Sequence, residues 1–233
     1  MKHNFQLSKI AASLAVMSGV VFVSSQTMAA TPVAGTNISN VATASYTDNT
    51  GTTRTVTSNE VKTVVAQVGS FTLVQDRSVT TVPNGQATMS HILTNTGNGT
   101  DTFTISLADL DNHASGSTFD FASDKFAVYI DKNKDGVPDD SVNLNAPGKT
   151  IELQAGEDVG LVVVATTPST ATTGQFDKLE LTATASAAKA SLYTTSSISN
   201  TDTVTITSGA VVTITKAASI STAKAGEEIE YTL

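Results

Sequence analysis

The chain contains no cysteine and no tryptophan, and only 15% of its residues are charged. Without cysteine there is no disulfide framework, no zinc–thiolate centre and no thiol nucleophile. Arginine occurs only at Arg54 and Arg77. That is too few for the clustered phosphate contacts of nucleic-acid binding, so nucleic acid is not an expected partner. Aromatic residues make up 5%. Long apolar runs are also missing: the longest, Ile10 to Val23, falls short of the ~20 residues that a membrane-spanning helix needs. What the chain has in quantity is Val, Ile and Thr, with a mean hydropathy of +0.04. That composition suits a pleated, half-buried surface and argues against charge-driven disorder. A length of 233 residues allows one full domain with a remainder.

The first 29 residues read as a secretory signal peptide. Lys2, His3 and Lys9 form a positive start, Ile10 to Val23 an apolar centre, and Thr27-Met28-Ala29 a small-residue cleavage site after Ala29. A retained anchor or a buried helix fits this length and ending less well. Of 13 basic residues, removal of Lys2 and Lys9 leaves 11 against 21 acidic ones, a net charge of -10. The mature chain is therefore expected to be exported, with no membrane span. It would lie at the cell surface, outside the cell, at the outer membrane or in the periplasm. Its acidity favours solubility and cation binding over adhesion to anionic lipid.

The remainder alternates with period two between Gly, Asn and Pro turns, an all-β pattern. Residues 38–48 and 53–65 predict a hairpin around Asp48-Asn49-Thr50-Gly51. A second series starts near Val68 and runs through Phe71 and Leu73, then Met89, His91 and Leu93, then Phe103, Ile105 and Leu107. It continues with Phe126, Val128 and Ile130, with Ile151 and Leu153, with Leu179, Leu181 and Ala183, and with Val204 and Ile206. Val159 to Ala165 is apolar on both faces and reads as a central strand. Asn95 to Gly99 supplies residues tolerant of positive φ for a turn. Residues 108–123 read as a polar connection, and 187–200 as a loop or weak edge strand. About seven short strands in roughly 140 residues predict an antiparallel immunoglobulin-like sandwich, with a barrel as the alternative. The division is 1–29 signal peptide, 30–67 N-terminal hairpin segment, 68–208 sandwich, and 209–233 the truncated start of a second repeat.

That second repeat is visible by self-comparison. Val212-Thr-Ile-Thr-Lys216, followed by Ser219 to Gly226, has the same plan as Phe71-Thr-Leu-Val-Gln75 followed by Ser78 to Gly85. A period near 140 residues points to whole domains in tandem rather than a solenoid. The runs Gly226-Glu-Glu-Ile-Glu-Tyr-Thr-Leu233 and Leu93-Thr-Asn-Thr-Gly-Asn-Gly-Thr-Asp-Thr-Phe103 resemble the bacterial conserved repeat domain, known as domain of unknown function eleven. Asn40 to Thr47 is similar to the segment that often precedes it. The resemblance covers most of residues 35–233. It implies an immunoglobulin-like fold, tandem arrangement in large exported surface proteins, and no catalytic residues. Gln86-Ala87-Thr88 stands in the first unit where the second has Glu227 and Glu228.

One constellation carries chemistry. Asp131-Lys-Asn133-Lys-Asp135-Gly136-Val137-Pro-Asp139-Asp140 places side-chain oxygens at positions one, three, five and nine, with glycine at six. This spacing resembles EF-hand and thrombospondin-type calcium loops. Calcium takes six to eight hard oxygens at ~2.3–2.6 Å, and alternate positions of a curled loop converge on one point. Asp131, Asn133, Asp135 and Asp139 would ligate through side chains and Val137 through its carbonyl. Val142 occupies position twelve, where an EF-hand has a bidentate Glu, and Asp140 is the substitute. The expectation is a structural calcium ion stapling a hairpin loop; a solvated Asx-rich turn is the alternative.

Other candidates are bland. His91, mid-strand among apolar neighbours, reads as a partly buried or edge histidine with no partner at ligand spacing. His113, near Asp109, Asp111 and Asp120, reads as a surface loop residue. No nucleophile elbow, zincin helix or phosphate loop is present, so no enzyme is expected. The leading function is a structural or adhesive repeat unit of an exported bacterial surface protein. Its partners would be further repeats or other surface proteins and glycans. The alternatives are a calcium-dependent glycan- or protein-recognition module and a fibre subunit assembled by strand exchange.

Overall fold

The computed structural model describes residues 32–110, 117–209, 217–218, 224–226 and 228–232. The expected signal peptide, His113, and Val212, Ile214 and Ile220 of the tail lie outside those residues. The chain divides into two compact units, residues 1–66 and 67–233.

The first unit is a ribbon of four short strands, β1 (Asn37–Asn40), β2 (Thr43–Thr47), β3 (Thr53–Thr57) and β4 (Val61–Val64). β2 pairs with β3 and β1 with β4, both antiparallel. The fold-back uses the predicted turn. The Asp48 carboxylate accepts the backbone N–H groups of Thr50 and Thr52, each at 3.0 Å, and Gly51 takes φ +80°. The Thr50 hydroxyl and then the Arg54 guanidinium hold the Asp48 carboxyl down at about 2. Every residue of the four strands is exposed. The ribbon therefore has no core of its own.

The second unit holds β5 (Phe71–Val74), β6 (Ser78–Thr81), β7 (Gln86–Asn95), β8 (Asp101–Asp109), β9 (Phe126–Asp131), β10 (Ile151–Leu153), β11 (Asp158–Thr166), β12 (Phe176–Ala185), a 3₁₀ turn over Ala187–Leu192, and β13 (Ser197–Ile206). Two further short strands, β14 (Ala217–Ala218) and β15 (Tyr231–Thr232), pair antiparallel. One sheet has the order β5-β7-β11-β9 and the other β10-β8-β12-β13-β6. These are the A-B-E-D and A′-G-F-C orders of an immunoglobulin-like sandwich, which the chain therefore adopts in preference to a barrel. β6 runs parallel to β13, as an A′ strand beside a G strand. β10 is an addition on the free edge of β8. With β6 counted, β5 to β13 make nine strands where the periodicity predicts about seven, β10 falling on the expected Ile151 and Leu153 run.

The core sits between the two sheets. Alternate residues of each strand enter it, among them Leu93, Phe103, Leu161, Val163, Leu179, Leu181 and Val204. β11 lies between β7 and β9, and Val162 on its other face is buried too, as its doubly apolar run predicts. The connection after β8 is less polar than it reads: Phe119 and Phe121 join the core and meet edge-to-face at 5.1 Å. The 187–200 stretch divides into the 3₁₀ turn and the start of β13, which pairs with β12 along its length.

The Asn95 to Gly99 turn corrects one expectation. Its glycines do not take positive φ; Gly97 is required because its backbone lies against a neighbouring segment. A Cβ there would stand 2.7 Å from the Val68 carbonyl oxygen. Gly97→Ala is accordingly expected to force β5 and its lead-in away from the turn. The cost should be about 1–3 kcal/mol in a thermal melt; an unchanged melt would show that the close approach is not needed.

Candidate metal site and buried polar groups

The acidic loop follows β9 and curls around the side chain of Asp131, which is buried at the strand end. One Asp131 oxygen accepts the Asp135 N–H at 3.1 Å and the other the Gly136 N–H at 2.9 Å. The tight curl uses positive φ at Lys134 (59°) and Gly136 (83°). Asn133 donates its amide to Asp135 at 2.9 Å, and Asp135 accepts the Val137 N–H at 2.8 Å. Asp139 turns its carboxylate back to the Lys132 N–H. Hydrogen bonds thus tie Asp131, Asn133 and Asp135 to the backbone and to one another within the curl, whereas Asp139 turns to the Lys132 N–H and Val137 is largely exposed; the carboxylates of Asp131, Asp135 and Asp139 do not form one close cluster. Asp140 instead accepts the Val142 N–H at 2.9 Å, beyond the curl.

The loop is not a hairpin. β9 pairs with β11 in one sheet, whereas β10 pairs with β8 in the other, so the connection crosses between sheets. On the way it runs back along β9. Asp139 donates its N–H to the Ile130 carbonyl at 2.9 Å and Leu144 donates to Val128 at 2.8 Å. This return covers an edge strand that would otherwise present unpaired groups. Lys134 ties the curl to the start of β11 through Asp158 at 2.6 Å.

A second acidic group was not legible from spacing. Asp109 at the end of β8, Asp120 in the following connection and Asp177 near the start of β12 bring carboxylate oxygens within 4.8 Å of one another. Among the described residues this is the one such trio. The Phe121 N–H is shared between Asp109 and Asp177, at 3.0 Å to each. Burial, with repulsion from Asp109 adding to it, pushes the Asp177 carboxyl up from 3.8 to about 6.

His91 departs furthest from expectation. It is fully buried, and its Nε2 lies 2.8 Å from the carboxylate of Asp202 on β13. The pair bridges the two sheets. The other Asp202 oxygen accepts the Arg77 N–H at 3.0 Å, and Arg77 Nε donates to the Ser90 carbonyl at 2.7 Å. The partner that local spacing could not reveal is 111 residues away.

At the opposite end of β13, Tyr193 packs edge-to-face on Phe71 and donates its hydroxyl to buried Asp101. Burial and the Asp101 carboxylate raise the Tyr193 phenol above its ordinary value.

No protein-family profile and no curated protein matches the chain. Solved structures with related folds do. A PapD-like domain of human CEP192 is 9% identical, covering 60% of this chain and 87% of that one, with a TM-score of 0.38. The periplasmic chaperone SfaE is 11% identical, covering 62% of this chain and 61% of its own, with a TM-score of 0.36. A chaperone–tip adhesion subunit complex of Csu pili from Acinetobacter baumannii is 12% identical, covering 59% and 57%, with a TM-score of 0.34. A family 123 glycoside hydrolase from Clostridium perfringens is 8% identical and matched over 57% of this chain and 23% of its own, with a TM-score of 0.39. The matches span less than two thirds of the chaperone and hydrolase chains. At these scores the likeness carries no argument about function, and the fold rests on the strand order itself.

Two outcomes follow from the buried groups. Between pH 4 and 6 the folded state retains a proton on Asp177 that the unfolded chain has released. This group's contribution to stability therefore falls as pH rises through that window. Asp177→Asn should remove this group's part of the slope in urea unfolding measured across the window; an identical slope would show that Asp177 does not set it. Asp202→Ala leaves the buried His91 ring and the Arg77 N–H without their acceptor and should cost about 1–3 kcal/mol, with the double replacement His91→Leu, Asp202→Leu recovering part of the loss. A melt unchanged by Asp202→Ala would remove the bridge from any stabilising role.

Proposed function

We propose that the chain is a non-enzymatic structural unit of an exported bacterial surface protein, a spacer made of immunoglobulin-like sandwiches in series and stiffened by calcium. The observation that carries this reading is the sandwich itself. It closes its own core from β5 to β13, while strand-forming sequence continues on both sides of it. The repeat of the 71–85 plan at 212–226 and the resemblance to the conserved repeat domain support the serial arrangement. The signal-like N-terminus supports export, and among the described residues no helix is long and apolar enough to cross a membrane.

Calcium is supported by the spacing of oxygen side chains at Asp131, Asn133, Asp135 and Asp139 on a backbone bent by Lys134 and Gly136, with Asn133 bonded to Asp135. Bound there, the ion would link the end of β9 to the segment that seals its edge. A recognition role is the second reading. It is favoured by a surface depression of about 440 Å³ beside the same loop, lined by Tyr129, Pro138, Asp140 and Gln86 among others. Assembly by strand exchange draws on the exposed ribbon.

A ligand that binds only the folded state at 100 times its dissociation constant adds about 2.7 kcal/mol, or roughly 5–10 °C for a domain of this size. A chelator is therefore expected to lower the melting temperature of the mature chain by that order. Asp131→Ala with Asp135→Ala should abolish the difference between calcium and chelator. Coincident melts of the unaltered chain in calcium and in chelator would refute the metal reading and leave the spacer reading standing.

A further inference from the structure

The outer face of the β5-β7-β11-β9 sheet meets the loop after β9 in a depression of about 440 Å³. The strand register accounts for its floor. Met89, Val128 and Val163 point into the core, so their neighbours along each strand point outward. Thr88 on β7 stands opposite Val164 on β11, and Tyr129 on β9 is on the same outward face one position along. The loop supplies the facing wall through Pro138, Asp140 and Ser141.

That loop lies over the sheet rather than beside it. A Cβ on Gly160 would stand 2.1 Å from the Asp131 carbonyl oxygen and 3.1 Å from the stem of Lys134, so glycine at this position lets the loop cross the face. Val162, between Ser90 and Tyr129 on the same outward row, is fully buried. Lys134 holds the crossing in place through Asp158. The result is a concavity between a paired sheet and a tied loop, within the size range of small-ligand sites.

Its polar groups are unspent. Among the described residues, the side chains of Gln86, Thr88, Tyr129 and Ser141 share no hydrogen bond with the rest of the protein. One Asp140 oxygen takes the Val142 N–H at 2.9 Å, which orients the carboxylate and leaves its second oxygen for a ligand. An amide, three hydroxyls and a carboxylate thus offer both donors and acceptors around one half-exposed aromatic ring.

Charge and backbone narrow the occupant. The described lining includes Asp140 and no Lys, Arg or His, which opposes an anionic ligand. A peptide added as a strand needs free backbone groups. Here β11 is paired on both sides, and the Asp139 and Leu144 N–H groups cover the edge of β9. A polyproline segment needs a groove lined by aromatic rings, and this one has a single ring. A neutral sugar suits what remains, because its hydroxyls both donate and accept while its C–H face lies against an aromatic ring.

We infer that this depression binds one neutral hexose ring of a glycan, with the ring on Tyr129 and its hydroxyls held by Gln86, Thr88 and Asp140. This names the ligand class of the recognition reading and rests on it. A single ring has few atoms with which to bind, so the dissociation constant is on the order of millimolar.

The test is an amide NMR titration of the mature chain, with calcium present throughout. The probes are maltotriose, cellotriose and the N-acetylglucosamine trimer, with a proline-rich decapeptide beside them. Saturable shifts at Thr88, Tyr129 and Val164 are expected with at least one trisaccharide and not with the peptide. Tyr129→Ala should weaken that binding at least about tenfold. Thr88→Val, which keeps the shape and removes the hydroxyl, should weaken it about three- to tenfold. Ser169→Ala, in a separate depression, should leave it unchanged, and thermal melts serve as the folding control for all three. Absence of saturable shifts with every trisaccharide overturns the inference, as does sugar binding that Tyr129→Ala leaves intact. Shifts at these residues with the decapeptide alone would overturn the sugar and keep the recognition reading. Silence from all four probes would overturn both and leave the spacer reading standing.

Discussion

The bond between His91 and Asp202 is the point on which the sandwich's geometry turns. Two stacked sheets are normally joined only by nonpolar contact, which fixes their spacing but tolerates sliding. Here a directional polar link runs through that layer from β7 to β13. Asp202 also takes the Arg77 N–H, and Arg77 in turn reaches the Ser90 carbonyl of β7. The chain is passing from β5 in one sheet to β6 in the other at just this place. The crossing, the pairing of β6 with β13, and the registry between sheets are all pinned by one small group of atoms.

Around this anchor the acidic residues do separate work. Asp131 organises a loop, Asp48 a turn and Asp101 the docking of Tyr193. In each case a carboxylate answers backbone N–H groups or a hydroxyl that the strand ladder leaves without a partner. Asp177 is the exception, because its neighbour Asp109 carries the same charge and both converge on the Phe121 N–H. That local conflict holds down a connection which places two phenylalanines in the core.

Much of this was legible from periodicity. The alternation of Phe71 with Leu73, or of Leu179 with Leu181 and Ala183, depends only on neighbours two apart and reports the inward face directly. So did the doubly apolar run of β11 and the Asp48 turn. In the candidate metal loop, the spacing located the curl around Asp131, because the curl is a local property of the backbone. It did not show that Asp140 bonds outward, or that the loop crosses sheets, since strand partners are set by distant residues. His91 reads as a partly buried or edge residue for the same reason: its carboxylate arrives from β13. Phe119 and Phe121 escaped because aromatic residues in an aperiodic polar stretch carry no face signal. The glycines at 97 and 99 were recognised as turn residues, yet the requirement at 97 is contact with Val68, a tertiary fact.

The parallel pairing of β6 with β13 has a mechanical meaning. The chain enters β6 from β5 at one end of this pair and leaves β13 at the other. Tension applied along the chain therefore pulls the two strands past each other. The ladder from Ser78 against Thr203 to Thr81 against Ile206 is loaded in shear, with its bonds sharing the force together rather than parting one at a time. β5, paired with β7, takes the load ahead of β6; behind it the β6–β13 pair acts as a clamp that shields the remaining strands until it gives way.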